Sequence, residues 1–171
     1  MITIRKNVFE TNSSSAHSFV YNGFDPAVDD YLKMEGREYG WEWVKYETAE
    51  DRLCYMFTAA IDVFPLKELI EHAKNIVEYF KKEGVEVDIE WLNDLYIKTH
   101  YSNGNEIDKP YIKHRLDDFV RIDHQSAPGE DGECKKLAES FADPVKVWNF
   151  VMDDGNEIWT GNDNEDPPYN W

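Results

Sequence analysis

The sequence predicts an α+β fold, a single domain with a small antiparallel or mixed sheet and several packed helices. Three observations lead to this prediction. The chain has 171 residues, which is about the length of one domain. Hydrophobic residues make up 42% of it, enough to build a core. Strand-like alternation occupies both ends of the chain, whereas apolar residues recur at helical spacing in the middle.

Strand and helix signals alternate in the first quarter of the chain. Ile2 and Ile4 alternate with polar residues and predict a first strand, which we expect to pair with a second at residues 19–21. Asp25-Pro26 is typical of a helix start and predicts a short helix up to Gly36, with its apolar face at Val28, Tyr31 and Leu32. Alternating aromatic and charged residues at 41–46 predict a half-exposed strand.

Two long helices are predicted next. Thr48 followed by acidic residues is typical of a capped start, and apolar residues then recur at helical spacing. Pro65 opens the clearest helix, over residues 65–83, and Gly84 is predicted to follow its last turn. Alternation at residues 85–89 predicts a strand after this helix.

The second half of the chain has mixed signals. Residues 91–101 fit either a helix or a strand, and residues 107–119 are predicted as a short helix. A mobile loop is expected at 126–132, followed by a helix at about 133–141. Alternation at 145–152, a turn at 153–156 and a β-prone run at 158–160 predict a hairpin. The acidic segment from about 161 to 171 is predicted to be a flexible tail.

Charge and composition exclude several classes of protein. There are 18 Lys and Arg against 35 Asp and Glu, a formal charge of −17. Nucleic-acid binding needs cations that neutralise phosphates, so we expect no direct, affinity-dominating contact with DNA or RNA. No apolar run is long enough to cross a bilayer, and the first residues lack the apolar stretch of a signal peptide, so we expect an intracellular protein that does not engage membranes. Cys54 and Cys134 form no metal-binding pair, and reduced thiols are expected.

A polar segment between the first two predicted strands is one candidate site. It concentrates hydroxyl groups around His17, which fits either an anion site with a titratable group or a hydrogen-bonded turn. Its motif consists of Glu10, Thr11, Asn12, Ser13, Ser14, Ser15 and His17. Asp123 and His124 lie side by side at a predicted strand end, where adjacent side chains face opposite ways. The candidates for a catalytic role are therefore His17, His124 and Ser14, although the sequence favours a protein that is not an enzyme.

No cofactor and no metal site are predicted. Oxygen-bearing side chains alternate from Thr160 to Glu165, as in calcium or magnesium sites, but the other ligands of an EF-hand loop are missing. A solvated turn is the favoured interpretation. The remaining histidines form no metal-binding spacing.

The second candidate site is an acidic surface with aromatic anchors. Acids dominate residues 25–51, and the last nineteen residues contain acids but no Lys or Arg. Such a negative field attracts basic protein grooves, and aromatic side chains among the charges are suited to anchoring an interface. The alternative is that the acidity serves only solubility. The predicted partner-binding residues are Trp41, Glu42, Trp43, Glu47, Asp153, Asp154, Glu157, Trp159, Asp163, Glu165 and Asp166.

Residues 5–18, which read RKNVFETNSSSAHS, resemble the opening of a group of small proteins from bacteriophages and mobile elements of bacteria. Those proteins begin with a similar R-x-x-V-F-E-T-N-S-S-S-x-H-S motif. Residues 122–126 and 160–164 are similar to later patches of the same group. The resemblance implies a phage-type accessory protein in the bacterial cytoplasm, and it transfers no activity to individual residues.

Three functional hypotheses follow from these features. In the first, the protein inhibits a host nucleic-acid-handling or defence complex, as anti-CRISPR proteins do, by placing carboxylates in a basic groove of that protein or nucleoprotein. In the second, the Ser-rich loop and His17 bind a phosphate or nucleotide, or hydrolyse one. In the third, the chain is a virion or replication accessory whose acidity means only solubility.

Overall fold

The computed structural model describes residues 4–8, 16–21, 30–40, 44–89, 95–102, 105–112, 121–122 and 132–161. Ten strands and four helices lie in these ranges. Their hydrophobic residues form one buried cluster to which all four helices contribute. The predicted α+β fold is confirmed.

Four strands from distant parts of the chain form the largest sheet. Its order is β1 (Ile4–Val8), β2 (Ala16–Tyr21), β10 (Glu157–Gly161) and β5 (Val44–Tyr46). Every neighbouring pair is antiparallel. The predicted first pair and the predicted strands around residues 44–46 and 158–160 are confirmed, and they share one sheet. Gly161, where the tail was predicted to begin, is the last residue of β10.

Helices α1 (Ala49–Val63) and α2 (Leu66–Lys82) supply more of the core than the other two helices, and they confirm both predicted long helices. Leu69, Ala73, Ile76 and Phe80 of α2 are fully buried because they recur every three or four residues along one face. Gly84 follows α2 with φ +95°, a left-handed conformation that glycine adopts without a Cβ penalty.

Thr48 caps the N-terminus of α1. Its hydroxyl oxygen accepts a hydrogen bond from the Asp51 amide at 3.1 Å and donates to the Asp51 carboxylate at 2.7 Å. Replacing Thr48 by Ala leaves that amide without its partner, so we expect the free energy of unfolding to fall by about 1 kcal/mol. Urea denaturation measures this loss. A Thr48→Ser variant keeps the hydroxyl and should retain most of the stability; equal losses in both variants would show that the cap does not contribute.

A short parallel pair of strands replaces part of a predicted helix, and a second parallel pair follows it. Tyr31 and Leu32 belong to strand β3 (Tyr31–Lys33), which pairs with β6 (Glu86–Asp88), so the helix prediction was wrong at these residues. The local spacing of apolar residues does not report pairing with a distant strand. β4 (Glu38–Tyr39) pairs in the same parallel manner with β9 (Arg121–Ile122).

The predicted hairpin at residues 145–160 was wrong in its first half. Helix α3 (Gly132–Ser140) confirms the predicted helix near 133–141, and a further helix, α4 (Pro144–Val151), follows it. The Asp143 carboxylate caps α4 by accepting from the amides of Val145 and Lys146 at 3.0 and 3.4 Å. Val147, Phe150 and Val151 are then buried at helical spacing. Strand β10 pairs with β2 and β5, and not with residues 145–152 as predicted.

A long hairpin occupies part of the region with mixed signals. Strands β7 (Leu95–Ser102) and β8 (Asn105–Ile112) pair in antiparallel register along their whole length. Residues 95–101, where the sequence fitted either a helix or a strand, therefore form a strand. The short helix predicted at 107–119 was wrong for residues 107–112, which lie in β8. The remainder of that prediction and most of the predicted loop at 126–132 fall outside the described residues.

Cys54 is buried within α1 and donates from its thiol to the Lys33 carbonyl at 3.3 Å. Burial raises the pKa of the Cys54 thiol to about 12. The folded protein therefore keeps a proton that the unfolded chain releases near pH 9, so the contribution of Cys54 to stability is present below pH 9 and is lost as the pH rises towards 12.

We expect Cys54 to resist alkylation at pH 8 until the chain is unfolded. A Cys134→Ser background isolates this thiol for measurement by mass spectrometry. Adding Cys54→Ala to that background should make the fall in unfolding free energy above pH 9 less steep. Rapid alkylation of the folded protein, at the rate of the urea-unfolded chain, would contradict the burial.

Candidate functional site

An acidic surface surrounds the N-terminus of α1. We use this name for the carboxylates of Glu35, Glu47, Glu50, Asp51, Asp154 and Glu157, which are linked through Arg37, Lys45 and Arg52. The residues come from three separate parts of the chain, 35–37, 45–52 and 154–157. The strand β5, the segment that enters α1 and the turn before β10 bring them together.

Arg37 holds the first three carboxylates. Its guanidinium donates to Glu35 at 3.1 Å, to Glu50 at 2.7 Å and to Asp51 at 2.9 Å. Its backbone amide is fixed by the Thr58 hydroxyl at 3.0 Å. Partial burial alone would lower the pKa of Arg37, but the surrounding negative groups, including hydrogen-bonded Glu50 and Glu35, raise it above its usual value. Arg37 therefore stays charged and fixes the positions of the three carboxylates.

Lys45 holds the next two carboxylates. Its ammonium contacts Glu47 and lies 2.8 Å from Glu157, while the Trp159 indole donates to Glu157 at 3.0 Å. The ammonium is 5.3 Å from the centroid of the Trp159 ring, within cation–π range. Burial alone would lower the pKa of Lys45, but the bonds to Glu157 and Glu47 raise it. The cross-strand pairing of Trp159 with Lys45 explains how this group forms.

Arg52 joins the acidic surface to the core. Its side chain is fully buried and donates to the Val151 carbonyl at 2.8 and 2.6 Å and to the Asn156 carbonyl at 2.8 Å. It also donates to the Glu47 carbonyl, and its guanidinium lies 3.6 Å from the Asp154 carboxylate. One side chain thus ties the start of α1 to the end of α4 and to the turn before β10.

The cations of this surface lie deeper than most of the acids that they hold. The side chain of Arg37 is 24% exposed against 34% for Glu50, and that of Lys45 is 28% exposed against 61% for Glu47. Arg52 is 0% exposed against 54% for Asp154. Six carboxylates against three cations leave a formal charge of −3. Glu157 is the exception, since its side chain is 22% exposed against 28% for Lys45. The other five carboxylates are more exposed than their cations, so the surface presents mainly negative charge to the solvent.

The structure brings together four of the predicted partner-binding residues: Glu47, Asp154, Glu157 and Trp159. Asp153 is only 7% exposed, and its carboxylate accepts from the Gly155 amide at 2.9 Å within the turn. The last nineteen residues contain no Lys or Arg, but in the folded chain Lys45 and Arg52 approach two of their acids. The other predicted partner-binding residues lie outside the described residues: Trp41, Glu42, Trp43, Asp163, Glu165 and Asp166.

Sequence reasoning missed the carboxylates that surround Arg37. Glu50 and Asp51 were interpreted only as acids that favour a helix N-terminus, which they also are. Glu35 was not singled out. The excess of acids in residues 25–51 was the signal that could have identified all three.

The Ser-rich loop is described only at its end. Residues 10–15, which include Ser14, and residues 123–124, which include His124, lie outside the described ranges. His17 is in strand β2 and pairs with Val8 of β1 and with Thr160 of β10. The prediction that His17 belongs to a polar loop was therefore wrong: its backbone lies in the interior of the four-stranded sheet.

Within the described residues, no group of three or more His, Cys, Asp and Glu side chains is arranged to hold a metal ion. The same part of the chain contains no helix of the length and apolar character that a membrane span needs. Comparisons with protein-family models, with curated proteins and with solved structures find no match to this chain.

Proposed function

We propose that this chain is an acidic accessory protein, of the kind carried by phages and mobile elements, which binds a host nucleic-acid-handling or defence complex in the bacterial cytoplasm and inhibits it. The acidic surface would occupy a basic groove that otherwise holds nucleic acid. One observation carries the proposal: in five of the six ion pairs, the carboxylate is more exposed than the cation that holds it.

Fixed carboxylates suit such a groove for two reasons. Side chains that are already ordered lose little conformational entropy when a partner binds. Outward negative charge also accelerates the encounter with a positive groove and disfavours partners of the same sign. Trp159, which is half-buried beside Lys45, adds an aromatic group at the centre of the charged residues.

An affinity experiment tests this function. The tagged protein is incubated with bacterial lysate and washed first at low and then at high salt, and mass spectrometry identifies what each wash releases. We expect a nucleic-acid-binding complex that is retained at low salt and released at high salt, because exposed charge pairs are screened by ions. Partners that bind equally at both salt concentrations would contradict the proposed mode of binding.

A competition step sharpens this experiment. The retained complex is challenged with the nucleic acid that it normally binds, at constant ionic strength. Release of the partner supports a shared groove, because two ligands of one groove exclude each other. Formation of a ternary complex, with protein and nucleic acid bound together at full occupancy, would contradict occupation of that groove.

A further inference from the structure

Strand β5 is the last strand of the four-stranded sheet on the side of the acidic surface. The sheet order is β1, β2, β10 and β5, and among the described residues no further strand pairs with β5. The last strand of a sheet has one row of backbone N–H and C=O groups directed away from its neighbour. Another extended segment can therefore pair with this outer edge of β5.

The two faces of β5 differ in chemistry. The register pairs Tyr46 with Ile158 and Lys45 with Trp159. Ile158 is fully buried, and Tyr46 packs against the core with its ring centroid 5.1 Å from that of Tyr39. Lys45 lies on the opposite face because side chains alternate along a strand. β5 thus has one face towards the core and one charged face away from it.

The charged face carries two carboxylates around one lysine. The Lys45 ammonium contacts Glu47 and lies 2.8 Å from Glu157. A lysine in an edge strand normally discourages pairing with another chain. Here the two carboxylates leave a formal charge of −1, and Glu47, which is 61% exposed, is the most accessible acid of the acidic surface. The edge therefore presents a carboxylate more openly than it presents the lysine.

We propose that the partner adds an extended basic segment to the outer edge of β5, as a further strand of the sheet. Backbone hydrogen bonds to β5 would hold the segment, and a Lys or Arg opposite Glu47 would pair with its carboxylate. Apolar residues of the segment would lie beside Val44 and Tyr46 on the other face. The segment would therefore alternate basic and apolar residues. The inference rests on the proposed function for the existence of a partner, and it adds how that partner binds.

Charge selects a basic segment over the other occupants of such an edge. An acidic segment would meet Glu47 in a chain whose total charge is −17, and a second copy of this chain carries the same unfavourable charge. An uncharged segment would leave Glu47 without a partner. A basic segment alone gains from both the backbone edge and the carboxylate.

A short fluorescent peptide in which arginine alternates with valine tests this mode of binding on the full-length chain. We expect its anisotropy to rise as it binds. The same peptide with every backbone amide N-methylated keeps all its charges but donates no backbone hydrogen bond, so it should bind at least about tenfold more weakly. No binding of the unmodified peptide at low salt, or equal binding of both peptides, would overturn the proposal.

A charge reversal tests the role of Glu47. Glu47→Arg should weaken binding of the unmodified peptide by at least about tenfold, because it places like charges opposite each other. Glu83→Arg makes the same change of charge at an exposed position after α2 and should alter binding by less than about twofold. Circular dichroism checks that both variants are folded. An equal loss in both variants would mean that the peptide senses only the total charge.

Hydrogen exchange locates the bound peptide. Binding should slow the exchange of the β5 amides and leave those of β1, at the other end of the sheet, unchanged. Protection of β1 in place of β5 would contradict the proposal. Sedimentation of the chain alone provides a further test, since a dimer whose formation protects β5 would show that a second copy occupies the edge.

The partner retained from lysate separates this inference from the proposed function. Glu47→Arg should lose that partner, and the unmodified peptide should displace it whereas the methylated peptide does not. A salt-sensitive partner that both peptides or neither peptide displaces would overturn strand addition and leave the proposed function standing. Peptide binding at β5 without any retained partner would support the docking edge and contradict the proposed function.

Discussion

Replacing Arg52 by Met is expected to lower the free energy of unfolding by roughly 3–5 kcal/mol, the usual cost of removing one partner from a buried charged network. The Val151 and Asn156 carbonyls would each lose a donor from a side chain that is fully buried, and the Glu47 carbonyl would lose one as well. Methionine fills the space of the aliphatic stem but donates no hydrogen bond. Urea denaturation followed by circular dichroism measures the change.

One further variant separates the hydrogen bonds of Arg52 from its charge, and a second serves as a control for loss of an exposed cation. Arg52→Lys keeps the charge but lacks the planar fork, so an intermediate loss of stability is expected. Lys146→Met removes a cation whose side chain is 67% exposed and should change stability by less than about 0.5 kcal/mol. If Arg52→Met stayed within about 1 kcal/mol of the wild type, the network would not stabilise the junction of α1, α4 and β10.

Neutralising three carboxylates of the acidic surface, two exposed and one half-buried, is expected to give the largest loss of function. The triple variant Glu47→Gln, Glu50→Gln and Asp154→Asn keeps the size of each side chain and removes three negative charges. If each pairs with a basic group of the partner at about 0.5–1 kcal/mol, affinity falls by roughly tenfold or more. Titration calorimetry or surface plasmon resonance with the partner recovered from lysate measures the change.

A matched triple variant distinguishes the acidic surface from the total charge. Glu71→Gln, Glu78→Gln and Glu83→Gln remove the same charge from exposed positions on α2 and at its end. We expect little change in the affinity of this control and a weaker salt dependence only in the first triple variant. Equal losses in both would mean that the partner senses net charge and that the acidic surface has no special role.

Local sequence signals predicted the long helices and several strands correctly. The cap at Thr48, the proline before α2 and Gly84 after it all act within one or two turns of chain, so the sequence contains all that is needed to find them. Residues 145–152 show why the same approach went wrong elsewhere. Apolar residues there fit both a two-residue and a helical spacing, and the Asp143 carboxylate, which caps the first turn of α4, favours the helix.

The candidate site was predicted in part. Glu47, Glu157 and Trp159 were identified because acids and aromatic residues alternate in the segments that contain them. The roles of Arg37 and Arg52 were not predicted, since nothing local distinguishes them from other surface cations. Arg52 bonds to Val151, which is 99 residues away in the chain, and no periodicity reports a contact of that separation.

The fold class, the caps and faces of the long helices, and the strong negative charge follow from the sequence, because they depend on composition and on neighbours within a few residues. Which strands share a sheet, where His17 lies and which carboxylates face outward depend on the folded structure. Those properties depend on pairing between distant segments: β10 joins β2 to β5, and Lys45 and Arg52 reach acids about a hundred residues away. The free energy of such contacts arises only when the whole chain has folded.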